Sequence, residues 1–416
     1  MNPSATASDY QWLARDPGAR WLEQAVAELA GHDELGRVQA LRRWPVTPHQ
    51  ARLLAEQCRL RQLGRAKFSQ AARMLFQSRL LQQATSEPLA SAKARRFAAA
   101  PHVVDFCCGL GGDLLGLAAR TRVTGVDRDE VATCLARHNV GSLSPEFRSR
   151  VGSVVTGDAA ATGKVPPDAW FHVDPDRRAG GARSTRPRFF SPGPDVLEQL
   201  IGTWHHGGVK LAPASPVPET WQPVCERQWL GDRSECKQQV LWFGETARQP
   251  GIRSAAAVDT RGQLTFDLRV PESEVRSPPV VAREPSAWLL EPHATVIAAG
   301  LTDALCRSYC LSRLAAEVDY LTAGQPPAFA GVTAFRILET TRLKLRDVRE
   351  ALRRQDGGLL EIKKRGVDHR LTEPFSRLGG GGNRPLTLVL TRTAEGHLAL
   401  ICSREPDPNG GPGSSG

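Results

Sequence analysis

The first 100 residues carry apolar side chains at three- and four-residue intervals, the spacing of helices with one buried face. Two stretches show it best, ARWLEQAVAELAG (19–31) and HQARLLAEQCRLRQLGRAKFSQAARMLFQSRLLQQATS (49–86). Neither stretch alternates apolar and polar residues as a strand does, and Pro45 and Pro48 separate them. The pattern therefore predicts an N-terminal helical region.

From about residue 103 to residue 245, short apolar runs alternate with helical stretches. This alternation predicts an α/β fold with a parallel sheet covered by helices on both faces. The predicted strands are HVVDF, RVTGVD, RVGSVVTGD, AWFHVDP, GGVKLAP and KQQVLWFG. Beyond residue 222, the runs QQVLWFG, RSAAAVD and LTFDLRV are separated by turn residues and predict antiparallel strands.

The last third of the chain mixes helical and strand patterns, which predicts an α+β domain. We expect a helix around 294–318, a strand at AFRILE, a basic helix at TRLKLRDVREALRRQ, a strand at LLEIKKR and a closing hairpin of LTLVLTR and LALICSR. The predicted limits are 1–100 for the helical region, 101–270 for the α/β core, 271–286 for a Pro-rich linker, 287–404 for the α+β domain and 405–416 for a disordered tail.

A cluster of glycines follows the first predicted strand of the core, in DFCCGLGGD. Glycines at a strand-to-helix turn let the backbone approach a ligand closely, and the helix N-terminus offers free N–H groups. The predicted ligand-binding residues of this turn are Asp105, Cys107, Gly109, Gly111 and Gly112. Asp113 is a candidate N-cap for the following helix.

Acids at the ends of strands distinguish between two classes of ligand. Asp105 stands directly before the glycine turn, where its charge would repel a pyrophosphate and attract an ammonium group. Asp127, at the end of the second strand, can accept both hydroxyls of a ribose. Asp158 follows the third strand, where an acid commonly meets the adenine amino group. The set fits S-adenosylmethionine better than NAD or another nucleotide, which stays the alternative.

The fourth predicted strand ends at Asp174 and Pro175, the candidate catalytic residues. A carboxylate there can orient a substrate amine and accept its proton. Amine methyltransferases often carry Asp/Asn-Pro-Pro-aromatic at this place, whereas this chain has Asp176 and Arg177 after the proline. Arg177 and Arg178 can bind a substrate phosphate or pair with Asp176. The alternatives are a helix cap or salt bridge for Asp174 and a basic surface loop for the arginines.

Composition narrows the class of partner. A net charge of +10 and a pI of about 9.4 favour a polyanion, although a basic surface alone would give the same values. The nine cysteines form no CxxC pair and no zinc-spaced cluster, which predicts free thiols and no metal. The N-terminus lacks the apolar core of a signal peptide, and no apolar run reaches about 18 residues. We therefore expect a cytoplasmic protein without a membrane span.

The motifs VDFCCGLGGD and VDPDRR resemble those of class I S-adenosylmethionine-dependent methyltransferases, which have a Rossmann-like core. The stretches RAKFSQAARMLFQSRLLQQATS, AKARRF, LLEPHATVIAAGL and LLEIKKRGVD resemble bacterial members with a C-terminal THUMP-like domain. The domain's name and the related RNA cap guanine-N2 methyltransferases imply an RNA substrate. The interpretation is methyl transfer to RNA, at a base nitrogen, by direct displacement.

Three cations of the C-terminal region are predicted substrate contacts: Lys363, Lys364 and Arg365. A basic surface suits phosphate contacts, which give affinity without reading sequence, and ordinary solvated charge is the alternative. Two other functions stay open, a methyltransferase for a protein or small molecule and an RNA-binding protein with an inactive core. The target nucleotide and the oligomeric state stay open as well.

Overall fold

The protein is described here by a computed structural model. It describes residues 5–159, 166–176, 189–233, 235–276, 278–376, 378–379 and 381–404. The chain divides into two compact units. The first unit comprises residues 1–227, 238–251 and 258–264, and the second comprises residues 228–237, 252–257 and 265–416. The domain limits given above stay predictions.

The N-terminal region is helical, as predicted. Its helices are α1 (Ala7–Leu13), α2 (Gly18–Glu28), α3 (Glu34–Leu41), α4 (Pro48–Gly64), α5 (Ser78–Gln83) and α6 (Glu87–Ala94). The sequence begins α4 clearly, because Thr47 and Gln50 form a reciprocal capping box around Pro48. Apolar faces of these helices bury Tyr10 and Leu54 in a core that also includes Ala132 and Leu135 of the α/β region.

The α/β region follows. Its elements are β1 (Val103–Phe106), α7 (Gly112–Ala118), β2 (Val123–Asp127), α8 (Glu130–Val140), α9 (Pro145–Arg148), β3 (Val151–Thr156), β4 (Trp170–Val173), α10 (Pro194–Trp204), β5 (Gly207–Leu211), β6 (Cys225–Asp232), β7 (Glu235–Phe243), β8 (Ile252–Val258), β9 (Leu264–Pro271) and α11 (Glu272–Val275). They form a nine-stranded sheet of order β3-β2-β1-β4-β5-β7-β6-β8-β9.

The first five strands confirm the predicted parallel α/β core. β2 pairs in parallel with β3 and β1, and β4 pairs in parallel with β1 and β5. The order β3-β2-β1-β4-β5 is that of a Rossmann-like sheet, whose strand order reverses between β1 and β4. β7 then runs antiparallel to β5, as expected for the run QQVLWFG.

Both faces of this sheet are buried, which explains its continuous apolar strands. Val103 of β1 lies opposite Trp170 of β4, and both pack with α6 and α7 on one face. Val104 lies opposite Phe171, and both pack with α10 on the other face. Successive strand residues therefore alternate between two cores.

The second unit carries the C-terminal elements β10 (Trp288–Pro292), α12 (Ala294–Ala298), α13 (Thr302–Tyr309), β11 (Ser312–Ala315), β12 (Val318–Ala323), β13 (Val332–Arg342), α14 (Leu345–Arg354), β14 (Gly357–Lys364), α15 (His369–Thr372), β15 (Arg384–Thr393) and β16 (Gly396–Arg404). Its seven-stranded sheet has the order β11-β12-β10-β13-β16-β15-β14. The antiparallel β15–β16 hairpin, the basic helix α14 and strand β14 confirm three predictions.

One prediction in this unit is wrong. A single helix was expected around 294–318, whereas the chain forms α12, α13 and then β11. Cys310 caps α13 in the left-handed region with φ of 53°, so the helix ends there. The residues that follow pair antiparallel with β12, and this pairing decides their conformation.

Candidate active site

A cavity of about 290 Å³ opens in the first unit where the parallel strands end. Ligands of open α/β sheets bind outside the carboxyl ends of the strands, at the point where strand order reverses. Most of the residues predicted from the sequence line this cavity: Asp105, Cys107, Gly109, Gly112, Asp127, Asp158, Asp174 and Pro175. Gly111 shapes the turn without lining the cavity. Four strands separated in sequence, β1 to β4, thus contribute these residues to one site.

The glycine turn bends sharply between β1 and α7. Gly111 is the N-cap of α7 with φ of 98°, a conformation that a side chain would strain. Gly112 passes so close to Thr85 that a Cβ atom would lie 2.9 Å from the Thr85 carbonyl oxygen. Cys107 adopts φ of 57°, which is uncommon for a residue with a side chain. The turn therefore keeps its backbone at the cavity wall.

Asp105 presents one unsatisfied carboxylate oxygen to this site. The residue is 1% exposed, and its Oδ1 lies 2.7 Å from Nδ1 of His172, while Oδ2 is buried without a partner among the described residues. The strand register explains the pair, because Asp105 and His172 lie opposite each other in β1 and β4. Burial raises the pKa of Asp105, and the hydrogen bond from His172 opposes that rise. A buried acceptor with no partner fits a ligand that brings a donor.

Asp127 is held by two backbone donors at the end of β2. Its Oδ2 accepts from the Gly109 N–H and its Oδ1 from the Asp129 N–H, both at 2.9 Å. Burial raises the pKa of Asp127, and these two hydrogen bonds oppose it. Each oxygen keeps a lone pair, so the carboxylate can still accept from two neighbouring hydroxyls. Asp158 lines the same cavity after β3.

Asp174 is joined to a lysine whose role the sequence did not reveal. Nζ of Lys210 lies 2.5 Å from Asp174 Oδ2 and 2.9 Å from Thr85 Oγ1. Lys210 belongs to the buried strand β5, and a buried ammonium needs a partner. This need for a partner is the feature by which sequence analysis could have found Lys210. The β4–β5 register pairs Val173 with Val209, and its continuation by one residue brings Asp174 beside Lys210.

A second buried ion pair lies behind this contact. Asp113 was a candidate helix cap, but α7 has no side-chain cap and Asp113 instead binds Lys93 Nζ at 2.7 Å. The hydroxyl of Thr85 donates to the other oxygen of Asp113, also at 2.7 Å. Burial alone would raise the pKa of Asp113, but the charges of Lys93, His172 and Lys210 and the hydrogen bond from Lys93 together outweigh it and hold that pKa well below its usual range.

The predicted substrate cations fall into two groups. Arg177 and Arg178 lie outside the described residues. The other three stand at the end of β14 in the second unit, where Lys363 lies 2.8 Å and Arg365 3.5 Å from carboxylate oxygens of Glu291. Lys364 is exposed and forms no ion pair within the described part of the chain. Glu291 therefore compensates one of the three positive charges of this group.

The described ranges contain neither a helix suited to span a membrane nor a metal-binding cluster. Every helix there is too short or too polar to cross a bilayer. No group of three His, Cys, Asp or Glu side chains in the same ranges is arranged to hold a metal ion. All nine cysteines lie in described segments, and each is a free thiol.

Comparison with known proteins gives three results. Residues 332–404 match the family model of the THUMP domain-like proteins. Two uncharacterized S-adenosylmethionine-dependent methyltransferases of Mycobacterium tuberculosis, from strains CDC 1551 and H37Rv, are each 30% identical over 336 residues, covering 79% of this chain and 87% of theirs. The crystal structure of a protein from Porphyromonas gingivalis W83 assigned as a methyltransferase shares the fold, with a TM-score of 0.75, 20% identity and coverage of 97% of this chain and 100% of that one.

Proposed function

Because the chain belongs to the S-adenosylmethionine-dependent methyltransferases, we propose that it methylates RNA at a base nitrogen, with Asp174 orienting the acceptor. The observation that carries the RNA substrate is the THUMP domain-like match over residues 332–404. The net charge of +10 agrees with a polyanionic partner. Asp174 and Pro175 line the same cavity as the acids assigned to the cofactor.

The cavity suits S-adenosylmethionine, the cofactor of this family. The cofactor brings an ammonium group, and Oδ2 of Asp105, which has no partner among the described residues, is proposed as an acceptor for it. Asp127 is placed for the ribose hydroxyls, since each of its oxygens is oriented by only one backbone N–H. Asp158 is assigned to the adenine amino group, and the turn from Cys107 to Gly112 to close backbone contact.

The chemistry asked of the protein is mainly positioning. S-adenosylmethionine supplies a methyl group on a sulfonium, which a nitrogen lone pair can attack directly. Asp174 Oδ1 can accept a hydrogen bond from the base nitrogen and direct its lone pair, and the carboxylate can take the proton released. Burial raises the pKa of both Cys107 and Cys108 well above its usual value, so neither supplies a thiolate at neutral pH. That supports direct transfer rather than a covalent enzyme intermediate.

The proposed RNA contacts and the proposed compartment are each supported by one observation. Lys363, Lys364 and Arg365 are proposed RNA contacts because they cluster at the end of β14 within the THUMP domain-like segment. Arg177 and Arg178 are proposed for the same role from their place after the Asp174-Pro175 motif. Nine free cysteines, two of them adjacent, support a reducing compartment, and we propose the cytoplasm.

The proposal is tested with tritiated S-adenosylmethionine and unmodified transcripts of tRNA and rRNA. We expect label to enter RNA with the wild-type protein and to fall at least about 100-fold with Asp174→Ala, because a misplaced acceptor loses about that much rate. Glu198→Ala, an exposed acid of α10 outside the cavity lining, is the matched control and should keep wild-type activity. Nuclease digestion then identifies the methylated base.

Two outcomes would contradict the proposal in different ways. Cofactor binding with label entering a protein or a small molecule, and not RNA, would replace the substrate class. Cofactor binding with no transfer to any acceptor would favour an RNA-binding protein with an inactive core.

A further inference from the structure

We propose that Lys210 is a positioning residue for methyl transfer, holding the carboxylate of Asp174 in a single orientation in front of the cofactor. The proposal rests on the orienting role proposed above for Asp174. It assigns a role in the site to a residue of β5 and to its partner Thr85 from the N-terminal helical region.

The burial of Lys210 constrains its ammonium group. Lys210 is only 10% exposed, and a cation so placed is tolerated only when it is paired and hydrogen-bonded. Its ammonium group donates to Asp174 Oδ2 and to Thr85 Oγ1. β7 flanks β5 with Val240 opposite Lys210, so the neighbouring backbone position on that side is apolar. Lys210 lines the cavity.

Thr85 is itself held by a buried ion pair. Its hydroxyl donates to Asp113, which is itself paired with Lys93. Nζ of Lys93 lies 3.4 Å from Nε2 of His172, whose other ring nitrogen contacts Asp105. A tautomer with the proton on Nδ1 of His172 lets the ring donate to Asp105 and accept from Lys93.

These contacts form one buried chain from the substrate side to the cofactor side. In order, its members are Asp174, Lys210, Thr85, Asp113, Lys93, His172 and Asp105. Each link other than Asp174 is largely buried, so none can reorient without losing a hydrogen bond inside the protein. Lys210 is therefore held in place by a buried hydrogen-bond network, unlike a mobile lysine on the surface.

The consequence concerns the two oxygens of Asp174. Lys210 occupies Oδ2, whereas Oδ1 has no hydrogen bond among the described residues. The carboxylate is partly exposed at the cavity, so Oδ1 is the oxygen left for the acceptor nitrogen. Without Lys210 the carboxylate could rotate, and a displacement of about 1 Å can cost about 100-fold in rate.

The first experiment does not depend on any methyl acceptor. The ammonium resonance of Lys210 is observed by NMR in protein labelled with ¹⁵N-lysine and loaded with S-adenosylmethionine, and it is assigned by its loss in Lys210→Met. We expect Asp174→Asn to shift this resonance and to speed exchange of its protons with water, because the charged acceptor is gone. A Lys210 resonance unaffected by Asp174→Asn would overturn the proposal, whatever the substrate.

The second experiment measures kcat, KM and cofactor affinity. Lys210→Met should lower kcat by about 100-fold, with the Kd for S-adenosylmethionine and the KM for the acceptor changed by no more than about threefold. Lys210→Arg, which keeps a cation, should recover about tenfold or more of that loss. Lys237→Met is the matched control, since Lys237 is also a strand lysine paired with carboxylates but is 40% exposed.

The outcomes separate the two proposals. Equal kcat in Lys210→Met and the wild type, or an equal fall in Lys210→Met and Lys210→Arg, would overturn the role of Lys210 while leaving the RNA substrate intact. Label entering a protein in place of RNA would overturn the proposed substrate, and the same kinetic comparison on that acceptor would still decide the role of Lys210.

Discussion

Two lysine–carboxylate pairs in the two units of the molecule illustrate different uses of charge. In the first unit, Lys210 of β5 pairs with Asp174 at a side-chain exposure of 10%. In the second unit, Lys363 of β14 pairs with Glu291 at an exposure of 24%. Both lysines come from strands and both contact one carboxylate closely, so the chemistry of the two pairs is the same and their surroundings differ.

The difference lies in what the pairs are connected to. The Lys210 pair continues through Thr85 into a second buried pair, Lys93 with Asp113. The Lys363 pair stands with exposed charges, including Lys364 and Glu361. Breaking a buried, connected ion pair is costly, because water cannot solvate the charge that is left. A partly exposed pair is screened by solvent and contributes little to the free energy of unfolding. The buried charges of the first unit therefore hold the side chains of the site in place, whereas the exposed charges of the second unit are suited to add affinity for a charged partner.

The largest expected effect is on stability. Lys93→Met would leave the carboxylate of Asp113 buried without its main counter-charge, and we expect the free energy of unfolding to fall by about 3–5 kcal/mol. Lys363→Met should lower it by less than about 1 kcal/mol, because Glu291 regains water. Urea unfolding followed by circular dichroism compares the two variants. Equal losses would remove the distinction drawn between the two units.

A smaller effect is expected from acid. The pKa of Asp113 lies well below its usual range. Burial alone would raise this pKa, but the nearby positive charges, above all Lys93, together lower it by more. Ionised Asp113 therefore stabilises the folded state above its unfolded pKa of about 3.9, and this contribution is lost as pH falls through the folded pKa. Between about pH 5 and pH 3, the free energy of unfolding should fall more steeply for the wild type than for Asp113→Asn. Parallel slopes for the two proteins would exclude Asp113 as a source of acid lability.

The smallest expected effect distinguishes neighbours within the second unit. If RNA binds there, Lys364→Ala should reduce the slope of log K against log[salt] by about 0.7–1, since an exposed lysine can release one counterion equivalent. Lys363→Ala should change the slope less, because Glu291 already compensates that charge. Fluorescence anisotropy of a labelled RNA over a range of KCl concentrations gives both slopes. A larger change for Lys363 than for Lys364 would contradict this ranking.

Local patterns predicted much of the fold. The strands β1, β4 and β5 follow the predicted apolar runs closely, because a strand buried on both faces has a short run of apolar residues. Strand β6 was not predicted, since CERQWLGD mixes charges with buried side chains. The single helix expected around 294–318 was wrong because antiparallel pairing, and not local spacing, decides the conformation after Cys310.

The candidate site was predicted in part, from its glycines and strand-terminal acids. Those residues come together because parallel strands end at one edge of the sheet, which a sequence pattern already implies. His172 is buried, and its contact with Asp105 required the pairing of β1 with β4. Thr85 and Lys93 lie in stretches that carry the family resemblance, but no local pattern predicted that either residue would reach the cavity.

Sequence patterns alone were enough to predict the succession of strands and helices from β1 to β5, the glycine turn and the acid that ends each of several strands. These features depend on backbone geometry and burial over a few residues, which neighbouring side chains encode. Only the tertiary structure decided that β4 lies between β1 and β5, placing His172 beside Asp105 and Lys210 beside Asp174. Those contacts join segments 67 and 36 residues apart, and strand pairing over such separations is selected by the packing of the whole sheet.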